Sequence, residues 1–312
     1  MRLKEENLMC IRRLQLSRLE NRFIHKVFTA DGILNTRRWK IAGSDFSQKY
    51  IMGPKFFELG MLYKTSKDAA SEAKPLKTYL KDIAKLVEIP VKSTEKIKTT
   101  QLLDINPMNH DTYFMFVHGG GATFTNNHYQ ELYKSLYGKV GVCAPEFRGY
   151  GANYQAGKGM DLRRTMSEDV DAGIQYLLNK GIKEEKIILM GYCGGCTQAL
   201  DVAQKYPQLK QVILMSPYTS FEYIPAANSF VTYLKHHSYK SPDLLSAQNV
   251  EAPVSIIHVN GDQILPFKAP LELSKKVKNL KDFIIIQSDK THWFNRTKID
   301  LVGRLIDKCI SS

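Results

Sequence analysis

The sequence is short of several things, and each shortage narrows its class. No apolar run in the 312 residues approaches the roughly 18 needed for a membrane-spanning helix, so a helical span is not expected. Cysteine is scarce: five residues, Cys10, Cys143, Cys193, Cys196 and Cys309, odd in number and scattered. That pattern does not make a disulfide framework; it suits a reducing compartment, and a cytoplasmic location is expected. The opening residues Met1-Arg2-Leu3-Lys4-Glu5-Glu6 carry charge where a secretion signal needs an apolar core, so none is expected. Internal repeats and low-complexity tracts are absent. The composition that remains, 43% hydrophobic and 24% charged, is that of a folded globular chain.

The formal charge of +13 is uneven: 21 of the 44 Lys and Arg residues fall in the first hundred positions, against 11 of the 31 Asp and Glu. This segment reads as a basic, mainly helical N-terminal extension over residues 1–95. Leu16, Leu19, Phe23 and Val27 form one apolar stripe in a helical stretch over residues 1–28, and a second helical pattern runs from Pro54 to about Leu86, broken at Pro75. A basic amphipathic helix can meet an anionic membrane surface or an acidic partner. The plainer expectation is a solvated face with its stripe packed on the main domain. No nucleic-acid partner is expected.

From residue 96 the pattern changes. Short apolar runs at 98–104, 112–117, 140–144, 186–190, 211–215, 254–259 and 283–287 alternate with helical stretches, as in an α/β domain with a mostly parallel sheet. One helix should open on a capping box of Thr165 and Glu168, bury Val170, Ile174 and Leu177, and end at Gly181. Another should run from about Lys298 to Cys309.

Ligand chemistry in such sheets gathers at the carboxyl ends of the strands, and four stretches put reactive residue types there. In Gly191-Tyr192-Cys193-Gly194-Gly195-Cys196 an apolar run turns into a helix, with glycines two before and two after Cys193. A sharp turn there would push the Cys193 sulfur outward over a helix N-terminus, which favours a thiolate. His118-Gly119-Gly120-Gly121 offers backbone N–H groups with no side chain in the way and lacks the Lys-Ser/Thr of a phosphate loop; His118 itself reads as structural. Asp262 follows one apolar run and His292 another, an arrangement that can orient an imidazole. Taken singly, each has a plainer reading: Cys193 and Cys196 as a redox pair, Asp262 as a turn residue, His292 as a structural histidine.

The order glycine loop, nucleophile, acid, histidine is that of the α/β-hydrolases. Residues 97–312 resemble that superfamily. The subgroup most similar is the small-capped Bem46-like and dienelactone-hydrolase-like proteins, through His118–Gly121, Glu146–Gly151, the Cys193 elbow, Ser216–Ser220, Asp262–Pro266 and Thr291-His292. The resemblance implies an α/β-hydrolase fold over 96–312 with a small cap at about 217–250. It implies Cys193 as nucleophile, His292 as base and Asp262 as orienting acid. Gly120, Gly121 and Gly194 would supply the oxyanion hole, and Tyr192, Tyr218 and Phe221 would contact substrate. It calls for no cofactor or metal, assigns Glu146 and Arg148 to architecture, and implies hydrolysis of an activated ester, lactone or thioester. Two departures stand out: Cys replaces the usual Ser, and Thr291 replaces the Gly that often precedes the histidine. An acyltransferase would use the same residues. A non-catalytic binding protein on this fold would hold His292 out of reach of Cys193.

Overall fold

The computed structural model describes residues 8–10, 75–94, 98–119, 122–151, 162–217, 246–287 and 291–311. Among them nine strands form one sheet: β1 (Leu8–Cys10), β2 (Ala84–Pro90), β3 (Thr99–Ile105), β4 (Tyr113–Val117), β5 (Gly141–Pro145), β6 (Ile187–Tyr192), β7 (Gln211–Met215), β8 (Val254–Val259) and β9 (Leu280–Ile286). The order across the sheet is β1-β9-β8-β7-β6-β4-β5-β3-β2. The strands from β5 to β9 are parallel, while β3, β2 and β1 pair antiparallel at the two margins. The helices are α1 (Thr78–Lys81), α2 (Asn127–Leu136), α3 (Leu162–Asn179), α4 (Gly195–Ala203), α5 (Lys268–Ser274) and α6 (Arg296–Ser311). None is long and apolar enough to cross a membrane.

The central strands are apolar without alternation because both faces are covered. In β4, Tyr113, Met115 and Val117 pack toward α3 and α4, while Phe114 and Phe116 pack toward α2 and α6. The period of two thus sorts one strand's side chains into two apolar layers. Each layer is completed by helix stripes: Met166, Val170, Ile174 and Leu177 of α3 on one side, Ile299, Val302, Leu305 and Ile306 of α6 on the other. At about 25 cal/mol per Å² of apolar surface, layers of this kind supply the main stabilisation of the fold.

Helix α3 ends as expected. Gly181 takes φ +84°, its N–H bonds the Leu178 carbonyl at 2.9 Å, and the Ile182 N–H reaches Leu177 at 3.1 Å. This pair of bonds closes a helix on a left-handed glycine. The start of α3 departs from expectation. The helix is already running at Leu162, so Thr165 is interior, and Glu168 turns to the Arg148 guanidinium at 2.7 Å instead of capping the backbone. Arg148 is fully buried, and its Nε also meets Asp169 at 2.6 Å. A buried guanidinium needs carboxylate partners more than a helix end needs a cap.

Two helical expectations give way to strands. Leu80, Ile83 and Leu86 recur at helical spacing, but α1 stops at Lys81 and Ala84–Pro90 pairs with β3 across the expected boundary at residue 95. Leu80 is fully buried while Leu86 is 56% exposed, so the three share no buried face. Likewise Leu8–Cys10 pairs with Ile284–Ile286 as a strand, although residues 1–28 read as helical. The Leu16–Val27 stripe and most of the 1–95 extension lie outside the described residues, as does 218–245 of the expected cap.

Candidate active site

The parallel strands end level with one another. Val117 pairs with Gly191, Tyr192 with Met215, and Val259 with Ile286, so the residues that follow each strand share one rim of the sheet. Cys193 follows β6 and sits at φ +50°, in the left-handed region that non-glycine residues seldom enter. The turn is tight because its neighbours have no side chain. A Cβ on Gly191 would lie 2.6 Å from the Cys196 Cα, and one on Gly195 would lie 2.4 Å from the Val117 carbonyl oxygen. Strand and helix therefore pack backbone to backbone, and the bend lifts Cys193 between them. Its side chain is partly exposed, and α4 begins two residues later with its N-terminal dipole end beneath it.

His292 lies on the loop between β9 and α6. Its Nδ1 is 2.8 Å from Asp262 Oδ2, and the Cys193 sulfur lies near enough to favour a charge on the ring. The imidazole and carboxylate are 5% and 0% exposed. Asp262 is itself fixed, because its Oδ1 accepts the N–H groups of Ile264 and Leu265, each at 2.9 Å. Burial opposes the charge on His292, but the Cys193 sulfur and the Asp262 carboxylate more than offset it and raise the group to about 10. Burial pushes Asp262 upward, yet the hydrogen bond to His292 and its charge leave the carboxyl below its ordinary value. Three residues separated by up to 99 positions thus meet around one imidazole.

The neighbouring histidines are of other kinds. His118 is buried with Nδ1 3.0 Å from the Gly119 carbonyl and Nε2 2.7 Å from Glu146 Oε1. Glu146 also accepts the Phe147 N–H at 3.1 Å, so this pair braces the chain where the glycine loop begins, and His118 is structural as expected. His258, fully buried near Asp262 and His292, is pushed down to about 4 by burial and faces the Leu265 carbonyl through Nε2 at 3.1 Å.

A Cβ on Gly119 would lie 3.2 Å from Cys193 Cβ and from Tyr192, so the start of the glycine loop packs against the elbow. Gly194 opens α4. Gly120 and Gly121, expected with it to form the oxyanion hole, lie outside the described residues, as do Tyr218 and Phe221. Tyr192, also expected to touch substrate, is 4% exposed; its hydroxyl donates to the His292 carbonyl at 2.7 Å and its ring stacks 5.7 Å from the imidazole. Beside them Trp293 is 65% exposed, its ring 5.9 Å from that of His292. The redox alternative meets an obstacle: Cys196 is fully buried, with its thiol directed at the Met215 carbonyl (3.4 Å), and no disulfide joins it to Cys193. Among the described residues no cluster of His, Cys, Asp and Glu could hold a metal ion. An open groove of about 950 Å³ along α3 and α4 is lined by residues such as Arg164, Asp171 and Lys205 and includes none of the Cys193 cluster.

Sequence reasoning missed what holds the histidine loop. Lys298, in the first turn of α6, is completely buried and donates to the carbonyls of Thr291 and Trp293 on either side of His292. The only hint was a cation at the end of a helix where the dipole disfavours it.

Comparison with known proteins agrees with this architecture. Among solved structures, the esterase Pf2001 of Pyrococcus furiosus superposes with a TM-score of 0.60 at 17% identity, over 76% of this chain and 97% of its own. Est1E from Butyrivibrio proteoclasticus gives 0.54 at 15%, over 73% and 99%. An alpha-beta serine hydrolase homologue from Coxiella burnetii gives 0.52 at 17%, over 72% and 96%. No curated protein matches the sequence. The family model for the dienelactone hydrolase family matches residues 132–304, more than half of the chain, from helix α2 through the elbow and both remaining site residues into α6. The chain is an α/β-hydrolase and belongs to the dienelactone hydrolase family.

Proposed function

We propose that the chain hydrolyses an activated carboxylic ester, lactone or thioester through a Cys193-His292-Asp262 triad and a covalent acyl-enzyme. The observation that carries the reading is a buried imidazole held by Asp262 at 2.8 Å on the same sheet rim as a cysteine held at φ +50° over a helix start.

In this scheme Cys193 attacks as a thiolate beside a His292 cation, which the sulfur and Asp262 favour against burial. A thiolate needs no base in the first step, which separates this site from a serine elbow. Cys193 Sγ attacks the carbonyl carbon, and the oxyanion is received by the N–H of Gly194 with the glycine-loop amides of Gly120 and Gly121. As the tetrahedral species collapses, the bond to the leaving group breaks and that group takes the proton from His292. The neutral imidazole then removes a proton from water as its oxygen attacks the thioester carbon. The acid leaves, and the proton on His292 and the charge on Cys193 are restored. Asp262 keeps Nδ1 protonated and stabilises the cation throughout. Trp293, exposed beside the imidazole, would accept an apolar or aromatic acyl group.

Intact-protein mass spectrometry after incubation with a panel of activated esters, lactones and acyl-thioesters tests this. A single acyl adduct is expected on the wild type and on Cys196→Ser, and none on Cys193→Ala. An adduct that persists in Cys193→Ala removes the nucleophile from the scheme.

A further inference from the structure

The histidine loop poses a problem of backbone chemistry. Residues 291–293 belong to neither strand nor helix, so their carbonyl groups have no ladder to join. Three consecutive carbonyls are nevertheless all engaged by side chains. Lys298 Nζ donates to Thr291 O at 2.9 Å and to Trp293 O at 2.8 Å, and Tyr192 Oη donates to the one between them, His292 O, at 2.7 Å. The bonds come from two separate elements, the elbow that carries Cys193 and the helix that follows His292.

Lys298 is an improbable residue for its place. It is the third residue of α6, where the aligned peptide dipoles repel a cation. It is also fully buried, and an ammonium is tolerated there only when hydrogen-bonded. The helix does not need it, because Asn295 caps the same turn by accepting the Lys298 N–H at 3.3 Å and Ile299 N–H bonds the Asn295 carbonyl at 3.0 Å. A leucine or methionine would fill the space without desolvating a charge.

We infer that Lys298 and Tyr192 form a two-sided clamp on the backbone of the histidine loop, with Lys298 a positioning residue that keeps the His292 ring in register with both Cys193 and Asp262. The inference rests on the reading of His292 as the catalytic base. The clamp grips the peptide groups on both sides of His292 and so fixes the Cα from which the ring reaches Asp262 and the Cys193 elbow. Tyr192 couples this to the nucleophile, since it is the residue immediately before Cys193 and its ring stacks on the imidazole. The charged and titratable groups around His292 are Asp262 and His258 after and on β8, Cys193 and Tyr192 of the elbow, and Lys298 of α6. Misplacing a catalytic group by about 1 Å can lower a rate on the order of 100-fold, so a clamp of this kind has a measurable consequence.

The test compares wild type, Lys298→Met, Lys298→Arg and Tyr192→Phe in p-nitrophenyl acetate hydrolysis, in melting temperature, and in the pH dependence of Cys193 alkylation by iodoacetamide. For Lys298→Met we expect kcat to fall about 10- to 100-fold with KM changed less than about twofold. Its alkylation profile should move toward that of an unactivated thiol. Lys298→Arg, which keeps donors in place, should recover part of both. Tyr192→Phe should move both in the same direction by less. A lysine that only stabilises the fold would lower the melting temperature of Lys298→Met and leave the profile of the folded protein where it was; that result overturns the clamp. Should Lys298→Met not fold, an unshifted profile in Tyr192→Phe overturns it equally. A wild type whose own Cys193 alkylates like a free cysteine would instead remove the catalytic reading on which the clamp depends.

Discussion

Gly191 offers the sharpest test of how the elbow works. In Gly191→Ala the added carbon would sit 2.6 Å from the Cys196 Cα, 2.7 Å from the Gly195 carbonyl oxygen and 2.8 Å from the Cys196 nitrogen. Non-bonded carbons rest at about 3.5–4.0 Å, so the start of α4 must move away from β6 by roughly 1 Å. All three opposing atoms are backbone, and no side-chain rotation can relieve them. Overpacking of this kind costs about 1–3 kcal/mol, which for a domain of this size lowers the melting temperature by several degrees. The larger effect falls on rate, because the displaced segment carries Cys193 and its helix start. A shift of about 1 Å is expected to reduce kcat/KM for p-nitrophenyl acetate on the order of 100-fold. Gly303→Ala is the matched control: it lies inside α6 with nothing within 4 Å of its built Cβ. Alanine is favoured over glycine in a helix by about 1 kcal/mol, so this variant should melt slightly higher and keep full activity. A Gly191→Ala enzyme with wild-type kcat/KM would refute the argument that close backbone approach sets the position of the sulfur.

Two further outcomes follow from the buried charges. Arg148→Met leaves Asp169 with a buried carboxylate and only the residue-148 N–H, at 2.7 Å, as a remaining bond from that position, which should destabilise the fold by about 3–5 kcal/mol. Burial, opposed by Arg148, already holds Asp169 up at about 7, so the deficit measured by urea unfolding should be larger at pH 8, where the carboxyl must ionise, than at pH 5; equal deficits would contradict it. His292 is raised from 6.5 to about 10, so the stability it contributes is fully present below pH 6.5 and is lost as pH rises toward 10. The melting-temperature advantage of wild type over His292→Gln should therefore shrink across that window, and an advantage that grows with pH would contradict the assignment.

The central strands were legible because their burial is simple. Runs such as Ile187-Ile188-Leu189-Met190 are covered on both faces, so every residue is apolar, and the observed bounds of β7 and β8 match the expected 211–215 and 254–259. The elbow was legible because its glycines serve a steric need that leaves a trace in sequence. Marginal elements were not. In β2 an edge position leaves both faces partly exposed, so alternation fades and a chance spacing of Leu80, Ile83 and Leu86 imitates a helix. The capping-box reading of Thr165 and Glu168 failed because Glu168 is drawn to Arg148, twenty positions away, a partner that no local pattern reveals. The same holds at the site. Cys193, Asp262 and His292 were expected from their places after strands, whereas the bonds from Lys298 and Tyr192 run to backbone carbonyls, and a carbonyl has no residue type for a sequence to display.

The central claim is that acyl groups pass through the Cys193 sulfur, activated by His292. Pre-steady-state hydrolysis of p-nitrophenyl acetate measures this directly. The wild type should release a burst of nitrophenol equal to one acyl group per active chain and then turn over more slowly, while Cys193→Ala shows neither burst nor turnover and His292→Gln loses most of the steady-state rate. A burst of full amplitude from Cys193→Ala would contradict the account.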